Sequence, residues 1–107
     1  MTPSLSPHTK QLIDSLFSQT DAAEASQWVE QECGNNLPFC KEYDEFKMER
    51  IRFAALKLSN GNISKLLKAI DLARRDWRDL LMAADFGNDL NAHEKWAKGV
   101  LGKTSGR

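Results

Sequence analysis

Residues 46–86 read FKMERIRFAALKLSNGNISKLLKAIDLARRDWRDLLMAADF, and the spacing of apolar side chains in this stretch decides the fold. Ile63, Leu66, Leu67, Ile70 and Ala73 recur at i, i+3, i+4, i+7 and i+10, and Trp77, Leu80, Leu81 and Ala84 repeat the pattern one segment later. That is the period of an amphipathic helix, not the alternation of a strand. Upstream, Met48, Ile51, Phe53, Ala54, Ala55, Leu56 and Leu58 leave only a thin polar face, made of Lys47, Glu49, Arg50, Arg52 and Lys57. A helix apolar round so much of its circumference belongs at the centre of a fold.

Punctuation separates these segments. Asn60-Gly61-Asn62 offers a left-handed stop and then an Asn or Ser cap for the next helix. Asp76, followed by Asp79, suits a fresh helix start at Trp77, with both carboxylates at its positive end. The alternative is one continuous helix from Ile63 to Phe86, which the apolar phase does not exclude.

Outward from this body the pattern stays helical. Residues 1–7, MTPSLSP, read as a flexible lead-in. A first helix begins at Ser6 or Pro7, carries Leu12, Ile13, Leu16 and Phe17 on one side, and ends near Ser18-Gln19. Thr20 or Asp21 then caps a second helix, with Glu24 three residues after Asp21 in the manner of a capping box. Its apolar face is Ala22, Ala25, Trp28, Val29 and Cys33, its solvent face is almost wholly acidic, and Gly34-Asn35-Asn36 stops it. Leu37-Pro38-Phe39 reads as a packed linker, and Asp44 suits the cap of the central helix. Gly87-Asn88-Asp89 is a further stop and cap, before a last helix with Leu90, His93, Trp96, Ala97 and Val100 on one face. Residues 102–107 read as a disordered tail. Nothing alternates with period two, and no solenoid-type repeat is present.

The chain of 107 residues is one domain's length, enough to bury roughly 60 to 65% of the surface of the unfolded chain. Its 41% hydrophobic and 28% charged residues are those of a globular protein. No apolar run approaches the ~20 residues that cross a bilayer, and MTPSLSPHTK lacks the regions of a signal peptide, so a soluble cytoplasmic protein is expected. Cys33 and Cys40 are expected to be reduced thiols; the turn between them leaves a local bridge as the alternative. The formal net charge is zero but unevenly placed. Residues 1–45 hold two basic side chains against eight acidic ones, and the remainder thirteen against seven. Such asymmetry either marks a surface for nucleic acid or an acidic partner or lets the two halves complement each other within the fold or across a dimer.

Cys33-Gly34 with Leu37-Pro38, then IRFAALKLSNGN (51–62), DWRDLLMAADFG (76–87) and the His93/Trp96 pair, together resemble a family of short bacterial all-helical proteins with no assigned activity. The resemblance covers residues 31–96, roughly two thirds of the chain. It implies a bacterial cytoplasmic setting and brings no functional residue with it.

Each motif that suggests chemistry has a plainer reading. Ala97 to Thr104, AKGVLGKT, fits a relaxed phosphate-loop pattern, but that chemistry needs a strand before the loop and a helix after it, and here a helix precedes and three residues follow. Cys33 and Cys40 with His8 or His93 would make a metal set, yet six residues between the thiols is not a zinc-knuckle spacing. A His93–Cys nucleophile pair has nothing in the sequence to bring it together, and Glu42, Asp44 and Glu45 read as a solvated helix start. His93 and Trp96 share one helical face, where packing is the simpler role.

A helix-turn-helix is the more serious alternative, because Arg74, Arg75 and Arg78 lie near a tight turn. Over residues 62–86, however, five basic side chains face four aspartates, and phosphate affinity needs an uncompensated basic face. Three tryptophans, Trp28, Trp77 and Trp96, lie on the apolar sides of their helices. Trp77 between Arg75 and Arg78, with Arg74, His93 and Trp96 as neighbours, is the candidate for an interface anchor, since Trp and Arg often carry binding.

These readings combine into an all-α, single-domain bundle of five or six short helices around a central helix near residues 46–59, with the domain at 8–101. The expected role is a non-catalytic interaction or regulatory module that binds a protein partner or itself. A helix-turn-helix-like DNA-binding regulator is the alternative, and a small enzyme or metal-binding protein a weaker one; no cofactor and no membrane are expected.

Overall fold

Pro7 opens helix α1 (Pro7–Leu16), where a missing amide hydrogen costs nothing, and the Ser6 hydroxyl caps it by accepting from Thr9 N. The computed structural model describes residues 5–33, 45–87 and 91–104, and these form six helices with no strand among them. After α1 come α2 (Gln19–Glu32), α3 (Glu45–Ser59), α4 (Ile63–Arg75), α5 (Trp77–Ala83) and α6 (Ala92–Thr104). They make a single-domain all-α bundle, and its radius of gyration of 12.6 Å matches the about 13 Å of a compact domain of about 100 residues.

Helix α3 is the centre, packing against α1, α4, α5 and α6; α2 lies outside it, against α1 and α4. Residues 51–56 are buried without interruption. Arg52, assigned to the polar face from sequence, is among them: its Nε donates to the Cys33 carbonyl, 2.9 Å away at the end of α2. Of that thin polar face, Arg50 and Lys57 do reach outward, but over α5 rather than into solvent. Arg50 donates to Phe86 O at 2.6 Å, and Lys57 Nζ donates to Ala84 O at 2.8 Å while lying 5.0 Å from the Phe86 ring centre. Lys57 thus sits at the negative end of α5 and satisfies its C-cap carbonyl, while Arg50 holds the chain two residues beyond that cap.

The stop between α3 and α4 is as expected. Asn60 and Gly61 take positive φ of 48° and 79°, and the Asn62 side chain caps α4 through Lys65 N at 3.0 Å. Residues 63–86 are two helices, not one. Asp76 is extended at φ −161°, closing α4 with its amide on Leu72 O and opening α5 with its carboxylate on Arg78 N.

Other boundaries move. Helix α1 ends at Leu16, and α2 is capped not by Thr20 or Asp21 but by Ser18, whose hydroxyl accepts from Asp21 N; the serine takes the cap because the chain is already extended there. Helix α5 stops before Gly87. Asp85, at φ 66°, takes the left-handed position, with Asp85 N on Met82 O and Phe86 N on Leu81 O, the paired bonds of a Schellman ending. Leu5, from the lead-in, is buried in the core, and α6 runs on to Thr104. On α4 the inward face is Leu66, Ala69, Ile70 and Ala73, which turns Leu67 to the edge at 36% exposure. The proposed stop at residues 34–36, the linker at 37–39, the Asp44 cap and the Cys33–Cys40 question lie outside the described residues. No helix among the described residues is long and apolar enough to cross a membrane.

Candidate functional site

The α4–α5 corner gathers four of the six residues singled out from sequence. Because Asp76 alone joins the two helices, the last turn of α4 and the first turn of α5 are placed side by side, and with them Arg74, Arg75, Trp77 and Arg78. Trp77 is half-buried and packs against the core with one part of its ring. The Arg78 guanidinium lies 5.9 Å from that ring, within cation–π range.

Each arginine of the corner also faces an acid. Arg74 reaches across to Glu32 and ties α4 to the end of α2. Arg75 Nε is 3.2 Å from Asp71 Oδ2, one turn back on α4, and Arg78 Nε is 3.8 Å from Asp76 Oδ1. The Arg75 and Arg78 side chains remain 71% and 76% exposed, so these pairs are solvated and each is worth little to stability. Arg74 differs in kind, because its acid comes from another helix: here the acidic first half and basic second half of the chain do meet within the fold.

His93 and Trp96 are elsewhere. Both are on α6, which packs against α1 and α3, whereas α5 packs against α3 and α4. His93 is fully buried, its ring 5.5 Å from that of Phe53 and 6.3 Å from that of Phe86. Trp96 joins the same aromatic cluster, 6.4 Å from Phe53 and 6.0 Å from Phe86. Their shared helical face is thus a packing face: it fastens α6 to the centre, and the His93 side chain is off the accessible surface.

One residue of the corner was not singled out. Met82, two turns into α5, is 61% exposed, the most exposed large apolar side chain among the described residues. Its signal was its absence from the Trp77, Leu80, Leu81, Ala84 stripe, which turns position 82 outward. Arg78 lies one turn before it on the same side.

Residues 97–104 are helix rather than loop, so their amides are turned into the α6 ladder and not toward a phosphate. No group of three His, Cys, Asp or Glu side chains among the described residues stands ready for a metal ion. Glu42, Asp44 and Cys40 fall outside those residues. Comparison with known proteins finds no matching family, no matching curated protein and no matching solved structure.

Proposed function

We propose that the protein is a small non-catalytic interaction or regulatory module that binds a protein partner or itself through the α4–α5 corner. The observation that carries this is the Trp77–Arg78 stack, set on a rigid helix junction beside the 71% exposed Arg75 and one turn from the exposed Met82. Arginine and tryptophan are the side chains that most often dominate an interface, and an exposed methionine adds adaptable apolar area. The DNA-binding alternative draws on the same arginines, but Asp71, Asp76 and Glu32 beside them leave no continuous basic face for a phosphate backbone.

A tagged capture from lysate of the source cell, with and without nuclease and at two salt concentrations, separates the readings. A stoichiometric protein retained through nuclease and moderate salt, and lost on Arg75→Glu/Arg78→Glu, is the expected result. Nucleic acid that co-purifies and is shed steeply with salt would transfer the corner to the DNA-binding reading.

A further inference from the structure

Gly99 does not suit the helix that holds it. It lies inside α6, exposed, and no atom stands within 4 Å of where a Cβ would be. Among the described residues nothing requires a missing side chain there, although glycine is the worst helix-interior residue after proline. The same outward side of α6 carries the exposed Lys95 and Lys98 against one acid, Glu94, while His93 and Ala97 turn inward. Lys95 and Gly99 are neighbours one turn apart.

Helix α2 has the opposite character. Its fourteen residues include Asp21, Glu24, Glu30 and Glu32 and no lysine or arginine. Ala22, Ala25 and Val29 face the core, where α2 meets α1 and α4. Outside, Glu24 is exposed; Trp28, one turn on, is partly buried and packs against the core with part of its ring, while its Nε1 donates to Glu24 Oε2 at 3.1 Å, which fixes the accessible edge of the indole beside the carboxylate.

We propose that the chain docks onto a second copy of itself, the outward face of α2 against the outward face of α6, with Trp28 over Gly99 and Glu24 opposite Lys95. The two pairs have the same four-residue spacing, so both form in one register when the helices run parallel. A position without a Cβ lets a broad indole come close to the backbone. The facing charges are opposite, and a net charge of zero adds no long-range repulsion between copies. Each copy has one of each face to offer, so the contact either is returned across a two-fold axis in a dimer or repeats head to tail into a closed ring. This goes beyond the function proposed above, because it uses a face separate from the Trp77–Arg78 corner.

Sedimentation velocity of the full chain, from micromolar to millimolar concentration and at low and high salt, tests it. The mass should rise with concentration to that of a dimer or beyond and fall with salt. Glu24→Lys and Lys95→Glu should each be monomeric alone, because like charges then face each other, and should associate when mixed, because mixing restores both opposed pairs. Gly99→Ala should raise the melting temperature by a few degrees while weakening association about tenfold. A wild-type chain monomeric throughout overturns the proposal and removes self-binding at the corner as well, leaving the corner to a different protein, which capture from lysate reads separately. Association unchanged in Gly99→Ala and in both charge variants would also overturn it, by placing the contact on another face.

Discussion

Gly61 sits at φ +79° with the Leu16 carbonyl oxygen pressed against the side where a Cβ would go. An alanine there meets both a conformation it disfavours and backbone that cannot move aside, so Gly61→Ala should cost about 2 kcal/mol or more in a urea melt. Asn-Gly-Asn announced this turn in the sequence, because only certain residues accept such a backbone. Arg52 gave no such notice. A charged side chain in an amphipathic pattern reads as solvated, and one partner that makes its burial tolerable is the Cys33 carbonyl nineteen residues earlier in the chain, a meeting no local pattern encodes. Arg52→Met keeps the volume and removes the donor; it should destabilise by about 2 kcal/mol, mostly from a buried carbonyl left with one bond fewer. A loss under about 0.5 kcal/mol would show that water replaces the guanidinium there.

Helix boundaries depend on single residues, and Asp76 is the clearest case. By ending α4 and starting α5 it turns the chain, so that Leu80, Leu81 and Ala84 fall back onto α3 instead of continuing past it. Asp76→Ala removes the cap and favours a straight run through the corner; the expected cost is about 1 kcal/mol by denaturant melt, with helical content unchanged or slightly raised. The apolar phase allowed one helix or two, and only the cap chemistry of Asp76 with Asp79 spoke for two. Helix α2 shows the reverse. Its last turn holds Glu30 and Glu32 and no basic residue, against the helix dipole, and the sequence of α2 alone does not say how this is tolerated. Two arginines from other helices supply the answer: Arg74 meets Glu32, and Arg52 meets the Cys33 carbonyl. The start of α2 was misread for a simpler reason, since Ser18, Thr20 and Asp21 are all good caps and sequence does not rank neighbours so close.

At the scale of the molecule, the corner is the test of function. Trp77 packs partly into the core, so Trp77→Ala mixes a loss of stability with a loss of binding. Arg75 and Arg78 do not, and the double charge reversal Arg75→Glu/Arg78→Glu should leave the thermal melt within about 0.5 kcal/mol of the parent while abolishing capture of the partner. A large loss of stability would instead make the corner a structural joint. The bundle itself was legible from residues 46–86, because apolar period and turn residues are local signals. The division of the six candidate residues between the corner and the aromatic cluster was not, because it depends on which neighbours α5 and α6 choose. That α3 touches four helices, with residues 51–56 buried in a row, bears on the lifetime of the native state. Its backbone amides lie under four packed helices, so loss of any one neighbour uncovers only part of the stretch. In native-state hydrogen exchange the protons of residues 51–56 should therefore be the last to leave, at a rate set by unfolding of the whole chain, while those of α2 and α6 exchange through smaller openings.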